Sequence, residues 1–317
     1  VAKSSLMFYL WKCLFMPAGL LLAFMLTACS EDKESVAPGI LVSTEWLQDH
    51  LNDSNVVLLH SGSAGLYDTI HIPGARLIIP ARFTVNTDSN RNEMPHSDSI
   101  VELLRKVGVD NDSKIVLYHE KISLLNRTAR VFVALDYLGL GEQILVLDGG
   151  LSAWLEEGYE TTDVLADFSR GNLEPQDLKE LIISADELDQ QRWNDQVVVI
   201  DARSAEEYYG TLGTLEEPSE GGHIEGAYSL SYLNITTDES PYLFRSDVEL
   251  KELFREAEMD PGKVTLIYCN SGIKGSLNYL VARHLAYPAL LYDGSFEEWE
   301  ELDLPATRPV AIPDKNE

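Results

Sequence analysis

The sequence predicts an α/β protein built from two successive copies of one domain, each a mainly parallel sheet flanked by helices. Three observations predict it. Landmarks recur in order: LVSTEWL from Leu41 is echoed by IISADEL from Ile182, and VVLLH from Val56 by VVVID from Val197. HIPGA from His71 returns as HIEGA from His223, and LDGGLSAW from Leu147 as YDGSFEEW from Tyr292, at offsets of 141 to 152 residues. Within each copy, short β-branched runs alternate with segments of helical periodicity. Finally, the run Val264 to Tyr268 stops at a cysteine and a glycine-containing loop before a helical pattern opens, the strand–loop–helix step of a parallel sheet.

In chain order, residues 1–28 carry Lys3 and Lys12 as their only charges and an apolar run from Leu14 to Leu26, the pattern of a secretory signal. The run ends in Leu26-Thr27-Ala28-Cys29-Ser30, which resembles the lipobox of bacterial lipoproteins. That resemblance implies a lipidated Cys29 and a periplasm-facing envelope protein tethered to a membrane, with the outer membrane favoured by Ser30. A polar linker fills residues 29–40, and the first domain is expected over 41–160. Its strands are expected at Ile115–Tyr118 and Ile144–Leu147, its helices at Ile100–Val107 and Thr128–Leu138. A polar connecting segment follows at 161–181, and the second domain at 182–308. There, Ser184 with Glu187 three residues on reads as a capping box. Val197–Asp201, Val264–Tyr268 and Ala289–Tyr292 read as strands, Val248–Glu258 and Ser276–Leu285 as helices. Residues 309–317 form a proline-containing tail.

The apolar fraction of 45% is that of a chain with a sizeable core, and a formal charge of −28 argues against nucleic acid as a partner. Of three cysteines, Cys13 leaves with the signal and Cys29 is claimed by lipid, so one thiol remains in the exported domains. An internal disulfide is then impossible, and in an oxidising compartment a lone thiol points to use as a reactive centre. Cys269 sits where a strand ends and a loop turns into a helix N-terminus; free amides and the helix dipole there favour negative charge on sulfur, and Lys274 adds a cation.

Taken together, the Asp201-Ala202-Arg203 strand end, the Gly222-His223-Ile224-Glu225-Gly226-Ala227 motif, the cysteine loop and Asp293-Gly294 leading to Trp299 resemble the tandem rhodanese family of sulfurtransferases. The resemblance covers Leu41 to Arg308. It implies that only the second copy is catalytic; the alignment puts His119 at the nucleophile's place in the first, where a satisfied loop histidine is expected. It further implies a persulfide on Cys269, formed by attack on a small anionic sulfur donor and discharged to a thiophilic acceptor, with no metal or organic cofactor. Asn270, Ser271, Gly272, Ile273, Lys274 and Gly275 are the expected substrate-binding loop, their amides aimed at the sulfur. A cysteine phosphatase would need an arginine six residues after the thiol; that position is Gly275.

The donor is the less legible part. Ser271 resembles the loop serine of mercaptopyruvate enzymes, whereas Lys274 supplies a charge suited to thiosulfate. The arginine that clamps substrate in animal members falls at Glu207, and the first-copy aspartate and histidine of mercaptopyruvate enzymes fall at Ala81 and Asn92, with His96 nearby. Asp201 and Arg203 read as a supporting charge network, His223 as a loop cap, and Trp154 and Trp299 as packing residues. The expected activity is thiosulfate sulfurtransfer, with 3-mercaptopyruvate sulfurtransfer and a non-catalytic binding or sulfur-delivery module as alternatives.

Overall fold

A computed structural model describes residues 39–88, 90–174, 178–211 and 221–308. The predicted signal, Cys29, most of the linker and the tail lie outside the described residues. The described residues form one compact unit.

The first half runs β1 (Leu41–Val42), α1 (Thr44–His50), β2 (Val56–Ser61), α2 (Ala64–Tyr67), β3 (Arg76–Ile78), α3 (Ser97–Lys106), β4 (Lys114–His119), α4 (Leu125–Tyr137), β5 (Ile144–Leu147) and α5 (Gly150–Glu156). The second runs β6 (Ile182–Ile183), α6 (Ala185–Gln191), β7 (Val197–Asp201), α7 (Ala205–Tyr209), β8 (His223–Ile224), β9 (Tyr228–Ser229), α8 (Asp247–Glu256), β10 (Val264–Tyr268), α9 (Ile273–His284), β11 (Ala289–Tyr292), α10 (Ser295–Glu301) and β12 (Ala306–Thr307). The sheets have the same order, β1-β5-β4-β2-β3 and β6-β11-β10-β7-β9, and every pairing within them is parallel. In both, the central strand (β4 or β10) is buried at every residue after its first because helices cover both faces.

The duplication extends to single contacts. The Tyr118 hydroxyl accepts from the Ile72 amide at 3.2 Å, and the Tyr268 hydroxyl from the Ile224 amide at 3.0 Å. Trp154 and Trp299 are both fully buried, their indole N–H groups donating to the carbonyls of Glu160 and Pro305. His71 and His223 each stack on a tyrosine, Tyr67 and Tyr208, and bond its carbonyl.

The halves share one continuous core. It runs from Val57 and Phe132 in the first to Ile267 and Leu280 in the second, with α4 packed on α9 at its centre. A buried carboxylate locks that seam: Asp136 on α4 accepts from Tyr279 Oη at 2.8 Å, Arg283 Nε at 2.9 Å and Lys179 Nζ at 2.8 Å. Removing any one donor leaves a buried charge under-solvated, the costly kind of polar loss.

Helix starts are where sequence expectation and structure part. α3, α4 and α9 each begin three residues before the expected first residue, while the strands at Ile144–Leu147, Val197–Asp201, Val264–Tyr268 and Ala289–Tyr292 sit as expected. Apolar periodicity marks only the buried turns, so a polar or small first turn escapes it. The Ser184–Glu187 capping box is formed, as are others at Ser204–Glu207 and Ser246–Glu249.

Candidate active site

β10 delivers Cys269 to the end of the second sheet's middle strand. The chain must then reverse into α9 within three residues, which it does through Gly272 at φ +77°. An L side chain is strained there, and a Cβ on Gly272 would also run into the Asp293 carboxylate. Gly275 packs its bare Cα against Leu291 and Ile267. The helix therefore starts at Ile273 and its first-turn amides have no intrahelical acceptor.

The carbonyls of Cys269 and Asn270 accept from the amides of Phe296 and Glu297, at 3.0 and 3.1 Å. In trans peptides the following N–H groups, those of Asn270 and Ser271, consequently face away from α10. Not every loop amide stays free, however. Those of Cys269 and Gly272 both donate to the Ser295 hydroxyl at 3.1 Å, and that hydroxyl donates to the Tyr292 carbonyl at 2.8 Å. The expectation that all amides from Asn270 to Gly275 aim at the sulfur is corrected for Gly272. Ser295, which ties the loop's two ends together, sits in the repeated YDGSFEEW landmark, but its contact with the loop spans 26 residues and the landmark does not reveal it.

Cys269 is a free thiol and only 1% exposed, with Sγ 4.0 Å from Ser295 Oγ. Two contacts hold its loop from outside. Asn92 of the first half donates through Nδ2 to Ser271 Oγ at 3.0 Å. Lys274 Nζ donates to both Glu207 oxygens, at 2.8 and 2.9 Å, and reaches Asn270 Oδ1 at 3.4 Å while lying over the Tyr232 ring. Burial pushes the Glu207 carboxyl up, but the bonds from Lys274 and the Ser204 amide outweigh it and hold the group below its ordinary value.

The first half contributes more than Asn92. Arg130 on α4, fully buried, makes a bidentate pair with Asp293 beside Gly272 (2.6 and 2.8 Å) and donates to the Asn92 carbonyl at 2.7 Å. The Met94 amide donates to the same carboxylate at 2.8 Å. Neither Arg130 nor this use of Asp293 is readable from the sequence, since the pair joins residues 163 apart. Of the first-half residues Asn92 and His96, Asn92 reaches the loop, whereas His96 is exposed, caps α3 and faces Asp98.

Asp201 and Arg203 form a buried charge pair at the strand end. Arg203 bonds Asp201 through Nε and through a terminal nitrogen at 2.6 Å, donates to the Gly222 carbonyl and lies 3.9 Å above Phe296; Tyr268 Oη donates to Asp201 at 2.7 Å. All three side chains are buried, so the network shapes the strand end. His119, by contrast, is not satisfied: it is buried, its Nδ1 has no partner, and burial alone pulls its pKa down to about 4. Gly150 lies so close to His119 that a Cβ there would run into the imidazole and the carbonyl. Among the described residues no group of histidine, cysteine and carboxylate side chains could hold a metal ion.

This arrangement holds a single sulfur at the head of a helix, amid amides and paired charges. The model for the rhodanese-like domain matches residues 43–157 and 184–302. The chain is 30% identical over 284 residues (84% of it, 95% of the relative) to the "Sulfur carrier protein TtuD" of Thermus thermophilus. It is 31% identical over 282 residues (83% and 88%) to a "Putative thiosulfate sulfurtransferase SseA" of Mycobacterium bovis. Among solved structures it is similar to SseA from Escherichia coli, described among 3-mercaptopyruvate sulfotransferases, with a TM-score of 0.70 and 21% identity over 82% of this chain and 99% of that one.

Proposed function

This chain belongs to the rhodanese-like domain family, and from that membership we propose that it is a rhodanese-type sulfurtransferase that carries sulfane sulfur on Cys269, from thiosulfate to a thiophilic acceptor. The observation that carries the reading is the seat of Cys269: the one thiol among the described residues, at a strand end, in a loop turned by Gly272 into the N-terminus of α9. The names of the relatives from Thermus and Mycobacterium support sulfur carriage and thiosulfate as donor.

In the first half-reaction the Cys269 thiolate attacks the outer sulfur of thiosulfate. A new S–S bond forms, the old one breaks, and its electron pair leaves on sulfite. In the second, the acceptor attacks the outer sulfur of the persulfide and the thiolate departs with the electron pair. Negative charge moves through the loop in both steps. The amides of Asn270 and Ser271 and the first turn of α9 supply fixed dipoles for it.

Mass spectrometry after incubation with thiosulfate tests the proposal. A gain of about 32 Da on Cys269, discharged by cyanide and absent in Cys269→Ser, is expected. No adduct with any donor would leave a binding module as the better reading. A second donor, 3-mercaptopyruvate, is favoured by one observation, the Asn92–Ser271 bond that brings a first-half side chain beside the loop serine. A preference for it of about tenfold or more in kcat/KM would reverse the order of donors.

A further inference from the structure

Lys274 is the one cation that the cysteine loop itself carries, and in this structure it is not available to a ligand. Both oxygens of Glu207 bond its ammonium, and the pair is semi-enclosed, with the lysine side chain 28% and the glutamate 16% exposed. The other cations beside the loop are also engaged, Arg130 with Asp293 and Arg203 with Asp201. The charges around the sulfur thus cancel pair by pair. Glu207 is held in place from its own side: it is the third residue of α7, and its carboxylate closes a capping box by accepting from the Ser204 amide at 2.9 Å. A rigid carboxylate aimed at a loop lysine competes with any anion that needs the same ammonium.

Resting on the reading of Cys269 as a sulfur carrier, we propose that Glu207 is a specificity-determining residue that competes with the donor for Lys274 and so penalises donors in proportion to their negative charge. A dianion such as thiosulfate must both displace the carboxylate from Lys274 and bear its repulsion. A monoanion such as 3-mercaptopyruvate meets half that repulsion, and an uncharged acceptor none. The competition acts on the bound ground state, so it raises KM for the donor and leaves the chemical step to the loop amides.

Glu207→Gln removes the charge and keeps a cap, because a glutamine oxygen also accepts from the Ser204 amide. With thiosulfate and cyanide, the variant is expected to raise kcat/KM by about tenfold or more, through KM, with kcat changed less than about twofold. With 3-mercaptopyruvate the gain is expected to be smaller, about threefold. In a Lys274→Met background the same substitution is expected to keep only the part of its thiosulfate gain that comes from relieved repulsion, since there is no ammonium left to release. Glu207→Ala, which gives up cap and charge together, serves as the second variant and is expected to act in the same direction. An unchanged thiosulfate KM in both variants, an effect on kcat alone, or an equal gain in the Lys274→Met background overturns the proposal while the persulfide on wild-type Cys269 still stands. Absence of any persulfide in the wild-type protein overturns this proposal and the sulfur-carrier reading together.

Discussion

His119 and Cys269 occupy matched strand ends, and the contrast between them is a matter of what each side chain is asked to do in a dry place. The imidazole is buried neutral with an unpartnered Nδ1. Its folded pKa of about 4 lies below the ordinary value of 6.5, so it contributes stability that is fully present above pH 6.5 and is lost as pH falls toward 4. Urea unfolding should show His119→Leu losing less stability than wild type between pH 7 and pH 4.5, with a difference of about 2 kcal/mol. A flat comparison would mean that the histidine is hydrated. Single residues were unevenly legible in the sequence. Cys269 was, because lone thiols at strand ends are rare and chemically distinctive; Glu207 was as a position, but its partner was not. Arg130 and Ser295 were not, because their meaning lies in contacts across 163 and 26 residues.

At the scale of elements, the turn from β10 into α9 sets how tightly the chain wraps around Cys269. In the second half Gly272 makes the turn in three residues, whereas the first half needs a longer path from His119 to Leu125, with a 3₁₀ turn over Ile122–Leu124. Gly272→Ala combines a left-handed backbone with a clash on Asp293. It should cost about 2 kcal/mol by chemical denaturation and slow persulfide formation by about tenfold or more. If the variant unfolds and loads sulfur as wild type does, the turn is less demanding than its geometry implies. Strands were legible almost to the residue because their apolar runs are buried on both faces. Helix starts were not, since a first turn made of serine, glycine or lysine carries no hydrophobic signature.

For the whole molecule, the repeat foretold two similar sheets but not how much each half owes the other. Asp293 is a buried carboxylate of the second half, and its counter-charge, Arg130, comes from the first. Arg130→Met should cost about 3–5 kcal/mol and lower sulfur loading, because it strands that charge. Arg130→Met combined with Asp293→Leu should recover a large part of the stability but not the loading, as the carboxylate also receives the Met94 amide. Additive losses in the double variant would show that the two residues act separately.

The loop that carries Asn92 and Met94 reaches from the first half to the second half's Asp293. A counterpart runs the other way, where the Phe244 amide donates to Asp148 at 2.8 Å. Anyone trimming this protein to a minimal catalyst by keeping only its thiol-bearing portion would inherit an orphaned anion, an unroofed nucleophile and a helix stripped of its mate. The first copy serves as the mould in which the cysteine-bearing copy keeps its shape.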